Sequence, residues 1–131
     1  MNELKLNLAY IIDDDEVIKY LTELMFKQVE FCEQSKYFKN PINALDELLK
    51  NKDDKSKLPD VILLDLRMPE MNGWEFLEKL EQNQLDIPVF IFSSSINEDD
   101  ILKSQQYKLV KDYIIKPLTI HKINKILRLL S

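Results

Sequence analysis

Residues 59–73 of this 131-residue chain read PDVILLDLRMPEMNG. After Pro-Asp comes the apolar run 61–64, and the run ends at the acidic residue Asp65. A short apolar run that follows a turn signal favours a strand buried on both faces, which is typical of parallel sheets. Gly73 is the one glycine of the chain, and we expect it to mark the turn from this loop into a helix beginning near Trp74.

The same strand-then-helix pattern occurs five times along the chain. The predicted strands are residues 8–12, 29–38 (an edge strand), 61–64, 89–92 and 112–115. The predicted helices carry their apolar faces over residues 17–28, 42–49, 74–82, 97–106 and 120–130. Asn40, Asn97 and Thr119 are the expected helix caps, with Asp15 and Glu16 entering the first helix. Because parallel strands need crossover connections, the pattern predicts one α/β domain over residues 1–131, with helices on both faces of a parallel sheet.

The composition excludes several kinds of site. A single glycine rules out a Walker phosphate loop and a dinucleotide-binding fingerprint, which need two or three. Cys32 is the one cysteine, so an internal disulfide and a multi-cysteine zinc site are excluded, and we expect a small buried side chain there. His121 is the one histidine, and it is expected to be solvated. The apolar runs are too short for a membrane span, so an intracellular protein is predicted.

The charge is unevenly distributed along the chain. Residues 1–101 carry 11 basic and 22 acidic residues, whereas residues 102–131 carry 7 basic and 1 acidic. A basic segment can bind nucleic acid. The lysines here lack interleaved aromatic residues or an arginine cluster, which favours a solvated helix face over a nucleic-acid interface.

Polar side chains follow four of the predicted strands. Asp13 and Asp14 follow the first strand and Asp65 the third, while Ser93 follows the fourth and Lys116 the fifth. The carboxyl ends of parallel strands lie at one edge of a sheet, where ligands bind in α/β proteins. We therefore expect these five side chains to converge.

Three converging carboxylates predict a cation site. A pair of like charges about 4 Å apart costs roughly 4 kcal/mol at an effective dielectric near 20, so the pKa values rise or a cation lies among them. Mg²⁺ suits oxygen ligands and leaves a position for a phosphate oxygen. With the lysine ammonium and the serine hydroxyl beside it, the set is typical of a phosphoryl-transfer site, in which an aspartate can be the acceptor.

These residues resemble the receiver domain of two-component response regulators, in its stand-alone, chemotaxis-regulator-like form. The resemblance covers essentially the whole chain and lies in segments 11–15, 59–73, 88–94 and 112–119. The most specific part is Met-Pro-x-Met-x-Gly after the acidic end of the third strand. The resemblance implies a three-layer, flavodoxin-like (βα)5 fold, with a five-stranded parallel sheet of order 2-1-3-4-5.

The resemblance also implies a role for each site residue. Asp65 accepts a phosphoryl group from a phosphohistidine. Asp13, Asp14 and Asp65, with the backbone carbonyl of Arg67, hold Mg²⁺ or Mn²⁺. Lys116 pairs with the phosphoryl group. The bond between Lys116 and Pro117 matches a peptide bond that is cis in the family.

Two further positions match the switch of the family. The hydroxyl of Ser93 turns toward the phosphoryl oxygens, and the ring of Tyr113 moves into the space it leaves. This alters the surface of the fourth helix, fifth strand and fifth helix. Since that surface lies in the basic part of the chain, we expect an acidic patch on the downstream partner, with charge reversal of Lys103, Lys108 and Lys122 as its test.

The expected protein is a cytoplasmic signalling switch that catalyses only its own phosphorylation and dephosphorylation. Its expected partners are a sensor histidine kinase or a histidine phosphotransfer protein and an unknown downstream protein. We expect no nucleic acid, membrane or output domain, and a monomer or weak dimer. Two alternatives are weaker: a phosphatase with an Asp-x-Asp motif, where this chain has Arg67 in place of the second Asp, and a degenerate receiver that only binds.

Three flanking residues complete the expectations. Arg67 and Ser95 occupy variable family positions that tune the lifetime of the phosphoryl group. Trp74 is expected to pack at a helix start, with a surface contact to a partner as the alternative.

Overall fold

The computed structural model describes residues 5–131. Five strands alternate with five helices. The strands are β1 (Leu6–Ile12), β2 (Cys32–Phe38), β3 (Val61–Leu64), β4 (Val89–Ser93) and β5 (Val110–Ile115). The helices are α1 (Glu16–Val29), α2 (Pro41–Lys50), α3 (Gly73–Gln82), α4 (Glu98–Ser104) and α5 (Ile120–Leu130), and a 3-10 turn, Lys55–Lys57, precedes β3.

The five strands form one parallel sheet of order β2-β1-β3-β4-β5. This confirms the predicted strand order and places β2 at an edge. Every residue of β3 is buried, as the uninterrupted apolar run predicts. The alternating side chains of the central strands enter two cores, one on each face of the sheet.

The two cores account for the three layers. On one face, Tyr10 and Ile12 of β1 pack with buried side chains of α2 and α3. On the other face, Ala9 and Ile11 pack with Phe26 of α1 and with buried side chains of α5. Helices α1, α2, α3 and α5 cover the sheet with their apolar stripes, and this periodicity is why the sequence located them.

The three predicted helix caps are all confirmed. The side chains of Asn40, Asn97 and Thr119 accept hydrogen bonds from the first turns of α2, α4 and α5. Asp15 does not enter α1 as predicted; it is the N-cap, and its carboxylate accepts from the backbone N–H of Val17 at 2.9 Å. Glu16 is the first helical residue.

Several boundaries and one burial prediction were wrong. Strands β1 and β5 each begin two residues earlier than predicted, at Leu6 and Val110. The edge strand begins at Cys32, because α1 continues through Val29 and closes on Glu30 with φ of 50°. Helix α4 ends at Ser104 and not at Gln106. Cys32 is half-buried, since it starts an edge strand and only one side of it packs on the core. Within residues 5–131, no helix combines the length and the apolar character that crossing a membrane requires.

Candidate functional site

Hydrogen bonds beyond the strand ends hold the site residues at one edge of the sheet. The backbone N–H of Asp13 donates to the carbonyl of Phe38 at 3.1 Å, and that of Asp65 donates to the carbonyl of Ile12 at 2.9 Å. The N–H of Lys116 donates to the carbonyl of Ser93 at 2.9 Å. The convergence predicted from strand placement is therefore built on backbone pairing that continues past β1, β3 and β5.

The three predicted carboxylates lie together. Oxygen atoms of Asp13, Asp14 and Asp65 are all within 4.8 Å of one another. Asp13 and Asp65 are buried, with 1% and 7% of their surfaces exposed, and Asp14 is more open to solvent. Oxygen-only donors at this spacing, one of them facing water, match the ligand set and retained hydration of Mg²⁺.

One buried ammonium faces this acidic cluster. Lys116 Nζ lies 2.7 Å from Asp13 Oδ2 and 3.5 Å from Asp65 Oδ1, and 11% of the lysine side chain is exposed. Apart from this ion pair, the buried Asp13 Oδ2 atom has no hydrogen-bond donor among the described residues. A single positive charge thus opposes three carboxylates, so the residues fit an additional cation.

The pKa values of the two buried carboxylates, Asp13 and Asp65, are consistent with a shortage of positive charge at the site. Burial, followed by the charge of Asp13, raises the pKa of Asp65 to about 6, although Lys116 acts in the opposite direction. Burial also raises the pKa of Asp13 above its ordinary value, against the hydrogen bond and charge of Lys116. Each shift reflects a charged form that lacks sufficient compensation.

The two predicted switch residues meet at a third residue. Ser93 is buried, and its hydroxyl accepts a hydrogen bond from the backbone N–H of Ser95 at 3.1 Å. The Tyr113 hydroxyl donates to the backbone carbonyl of Ser95 at 2.9 Å. The loop after β4 therefore connects both side chains through one peptide segment.

Asp100 is a rim residue that the sequence did not single out. The Arg67 guanidinium pairs with Asp100 Oδ2 at 3.0 Å, and the Ser95 hydroxyl donates to the same oxygen at 3.0 Å. The aspartate stood out in the sequence only as one of three acidic residues in the first turn of α4. Its partners lie 33 and 5 residues away in the chain, and no local pattern links the loop after β3 to α4.

Gly73 is required by a close approach of two backbone segments. A Cβ at this position would lie 2.7 Å from the carbonyl oxygen of Asp65 and 3.0 Å from the Cα of Leu66. Its own N–H donates to the Leu66 carbonyl at 2.9 Å. Its φ is not positive, so lack of space for a side chain, and not a left-handed backbone, explains the glycine here.

Two other predicted features are present. The peptide bond between Lys116 and Pro117 is cis. Trp74 is half-buried and packs against the core, as expected for a helix start, and it also stacks on Tyr107 at 5.5 Å between ring centroids. A groove of about 440 Å³ runs from the acidic cluster to this tryptophan; its lining residues are Asp14, Leu66, Arg67, Met68, Pro69, Asn72 and Trp74.

Comparison with known proteins agrees with the geometry. The family model for the response regulator receiver domain matches residues 9–128. Among curated proteins, a probable methanogenesis regulatory protein, FilR2, from Methanothrix harundinacea is 26% identical over 117 residues, which are 88% of this chain and 75% of that protein. The DNA-binding transcriptional regulator NtrC of Escherichia coli K12 is 29% identical over 113 residues, 86% of this chain but 22% of that longer protein.

Solved structures show the same fold. A two component response regulator from Cytophaga hutchinsonii superposes with a TM-score of 0.89 at 24% identity, covering 97% of this chain and 98% of that one. A response regulator receiver protein from Dyadobacter fermentans gives a TM-score of 0.78 at 26% identity, again covering 97% and 98% of the two chains. With residues 9–128 matched and the same five-stranded sheet, this chain belongs to the response regulator receiver domain family.

Proposed function

We propose that this chain is a phosphorylatable switch in which Asp65 accepts a phosphoryl group from a phosphohistidine of a sensor histidine kinase or phosphotransfer protein. The observation that carries the proposal is the position of Asp65, buried between the carboxylate of Asp13 and the ammonium of Lys116. Both the N–H of Leu66 and the ammonium contact the Oδ1 atom of Asp65. This arrangement leaves Oδ2 as the oxygen that attacks phosphorus.

The transfer exchanges one bond to phosphorus for another. Asp65 Oδ2 forms the new O–P bond while the N–P bond of the phosphohistidine breaks, and the imidazole leaves as a neutral base because its other ring nitrogen carries a proton. Because the raised pKa of Asp65 lies below neutral pH, its carboxylate is ionised and nucleophilic under those conditions.

The carboxylates of Asp13, Asp14 and Asp65, with the backbone carbonyl of Arg67, would hold Mg²⁺ or Mn²⁺. The bound ion neutralises negative charge on the carboxylates and on the phosphoryl oxygens. Asp13 itself is aligned for this role, since its Oδ1 accepts the N–H of Asp15 at 2.9 Å. Lys116 supplies the second positive charge at the acceptor.

Phosphorylation would be transmitted through Ser95. Turning the Ser93 hydroxyl toward the phosphoryl oxygens breaks its hydrogen bond with the N–H of Ser95. The carbonyl of the same residue holds Tyr113, so the loop and the tyrosine respond together. A phosphoryl group adds about two negative charges and shifts the equilibrium toward the state in which serine and lysine contact it.

An apolar stripe on α1 supports docking of a helical phosphodonor. Val17, Tyr20, Leu21 and Leu24 are 65%, 61%, 44% and 44% exposed and follow the i, i+3, i+4, i+7 spacing of one helix face. The helix begins at its Asp15 cap, two residues beyond Asp13. A phosphohistidine helix lying along this stripe would therefore end at the acidic cluster.

Exposed basic residues on the α4–β5–α5 side support a downstream partner with an acidic patch. Lys108, Lys111 and Arg128 are exposed there. Two lysines chosen from the sequence for the charge-reversal test have internal contacts: Lys103 lies over the Trp74 ring at 4.8 Å, and Lys122 binds backbone carbonyls. Charge reversal at Lys108, Lys111 and Arg128 is therefore the cleaner test of an acidic partner. It should weaken partner binding and reduce the salt dependence of that binding.

Arg67 argues against the phosphatase alternative. The second aspartate of an Asp-x-Asp phosphatase acts as a general acid over the acceptor. Here the side chain at that position is a guanidinium, 75% exposed and paired with Asp100. No general acid is supplied from that position.

Incubation with Mg²⁺ and phosphoramidate, followed by intact-mass measurement, tests the proposal. Wild type should gain the mass of one phosphoryl group, and Asp65→Ala should gain none. Asp46→Ala, a carboxylate on α2 outside the acidic cluster, is the matched control and should behave as wild type. No added mass in wild type would reject phosphorylation, and added mass in Asp65→Ala would reject the acceptor.

A further inference from the structure

Lys122 binds the backbone on both sides of Lys116. It lies in the first turn of α5, where its N–H donates to the hydroxyl of the Thr119 cap at 3.2 Å. Its side chain turns back over the preceding loop. Its ammonium donates to the carbonyl of Ile115 at 2.5 Å and to that of Pro117 at 3.1 Å.

This placement opposes the electrostatic preference of a helix start. The first turn of a helix carries a partial positive charge, which disfavours a cation there by about 0.3–1 kcal/mol. The first turn of α5 contains no acidic residue that could compensate the lysine. Two carbonyl oxygens perform that compensation instead, so the lysine and the loop before the helix stabilise each other.

The two carbonyls enclose one residue of the phosphoryl site. Ile115 is the last residue of β5, and the sheet ladder ends there. Beyond it, the Lys116 N–H still donates to the Ser93 carbonyl, but the carbonyls before and after Lys116 point to Lys122. Among the described residues, the ion pairs do not include Lys122, so its ammonium is not itself part of the acidic cluster.

We propose that Lys122 is a positioning residue for Lys116. It fixes the turn after β5 so that the Lys116 ammonium stays 2.7 Å from Asp13 Oδ2 and 3.5 Å from Asp65 Oδ1. The inference rests on the proposed function in one respect, namely that Lys116 contacts the phosphoryl group. It adds a residue that reaches no reacting atom and acts only through the backbone of its neighbour.

Three variants of α5 test the proposal. Lys122→Met removes the ammonium and keeps much of the apolar stem. Lys122→Arg keeps a cation that can donate to both carbonyls. Lys125→Met is the matched control: it removes one positive charge from the same helix, but the charge lost is paired with Asp112 at 2.7 Å.

The kinetic readout is phosphorylation by phosphoramidate at varied donor and Mg²⁺ concentrations. A shift of a catalytic group by a fraction of an ångström lowers the rate at saturation, and we expect a loss of about tenfold for Lys122→Met. The Mg²⁺ concentration at half-maximal rate should not rise above the wild-type value, because the metal ligands are untouched. Lys122→Arg should recover most of the rate, and Lys125→Met should lose none.

Amide hydrogen exchange at Lys116 gives a readout independent of activity. Loss of the two carbonyl contacts should raise the exchange rate of this N–H about tenfold in Lys122→Met, while Lys125→Met leaves it unchanged. Wild-type rates and protection in Lys122→Met would overturn the inference, as would equal losses in Lys125→Met. If wild type is not phosphorylated while amide exchange at Lys116 rises in Lys122→Met, the proposed function fails. The conclusion that Lys122 fixes the turn after β5 then still holds.

Discussion

Lys116 contacts Asp13 more closely than it contacts Asp65: its ammonium is 2.7 Å from an oxygen of the first and 3.5 Å from an oxygen of the second. The ammonium of Lys116 is thus held by a residue proposed to bind the metal. Binding of a divalent ion to Asp13 would compensate that carboxylate and free the ammonium for Asp65 and its phosphoryl group. Under the proposed function, the same ammonium would stabilise the folded protein before metal binding and the phosphoryl group afterwards.

The stability of the metal-free protein should rise as pH falls from neutral. Asp65 has a folded-state pKa of about 6, above its ordinary 3.8, so the folded state takes up the proton first. A raised carboxyl pKa means that stability is lost as pH increases from about 4 to 6, by at most roughly 3 kcal/mol for this group. Asp13 shifts in the same direction.

Thermal unfolding in EDTA, measured between pH 7 and pH 5, checks this expectation. Asp65→Asn should flatten the pH dependence, since the amide does not titrate, and so should saturating Mg²⁺. Asp46→Asn is the control and should keep the wild-type slope. A melting temperature that falls steadily from pH 7 to pH 5 in wild type would contradict the stated pKa shifts.

Adding a methyl group at Gly73 should destabilise the protein and disturb the acceptor. The Cβ of Gly73→Ala would lie 2.7 Å from the carbonyl oxygen of Asp65, so one backbone segment must move. Strain of this kind costs about 1–3 kcal/mol. Urea unfolding should show that loss, with a further loss in Gly73→Val.

The neighbouring residue provides a control for this prediction. Asn72→Ala removes the cap of α3, whose side chain accepts the N–H of Glu75, at a cost of about 1 kcal/mol without a steric clash. For the same loss of folding stability, Asn72→Ala should slow phosphorylation less than Gly73→Ala does. Equal stability of Gly73→Val and wild type would show that the glycine is incidental.

The Arg67–Asp100 ion pair should lengthen the life of the aspartyl phosphate. It joins the loop after β3 to α4 beside the acceptor, and 15% of the Asp100 side chain is exposed. Opening this contact admits water to the phosphoryl group, so Arg67→Ala and Asp100→Asn should each lose phosphate severalfold faster. Since the pair acts as one contact, the double variant should lose it no faster than either single variant.

Decay of the phosphorylated protein, followed by intact mass after donor removal, measures this lifetime. Thermal stability should change by less than about 0.5 kcal/mol, because an exposed pair contributes little. Additive acceleration in the double variant would mean that the two side chains act separately.

Fluorescence of Trp74 should report metal binding. It is the one tryptophan of the chain, and it lines the groove that begins at Asp14. A divalent ion at the acidic cluster changes the field along that groove, so Mg²⁺ titration should change the emission with saturation. Asp14→Asn should shift the titration to higher Mg²⁺, and Asp13→Asn should shift it further because that carboxylate is buried. An identical titration in all three proteins would place the metal elsewhere.

Much of the site was predictable because it depends on strand order. A buried apolar run ends where the chain leaves the sheet, so Asp13, Asp65 and Lys116 had to meet at one edge. Helix caps such as Asn40 could also be predicted from the sequence, since capping depends on neighbouring residues in the chain. The end of α1 could not be predicted, because Val29 suits both a helix and a strand. The left-handed Glu30 that closes the helix gives no clear sequence signal.

The missed contacts join residues that are distant in the chain. The Tyr113–Ser95 hydrogen bond and the Arg67–Asp100 ion pair span 18 and 33 residues. Each depends on side-chain rotamers at the meeting of two loops, and no periodicity encodes such a pairing. The hydrogen bonds of Lys122 to the carbonyls of Ile115 and Pro117 were missed for a different reason. A lysine in a basic helix is typical of a solvated surface.

Locating the phosphoryl group within residues 59–73 is the direct test of Asp65 as the acceptor. Wild type, phosphorylated with phosphoramidate and Mg²⁺, would be digested under acyl-phosphate-preserving conditions, and the fragments would be sequenced by mass spectrometry. We expect the added mass to lie on Asp65 and to disappear when EDTA replaces Mg²⁺. Phosphoryl mass on His121, on Asp13 or on any residue outside this stretch would contradict it.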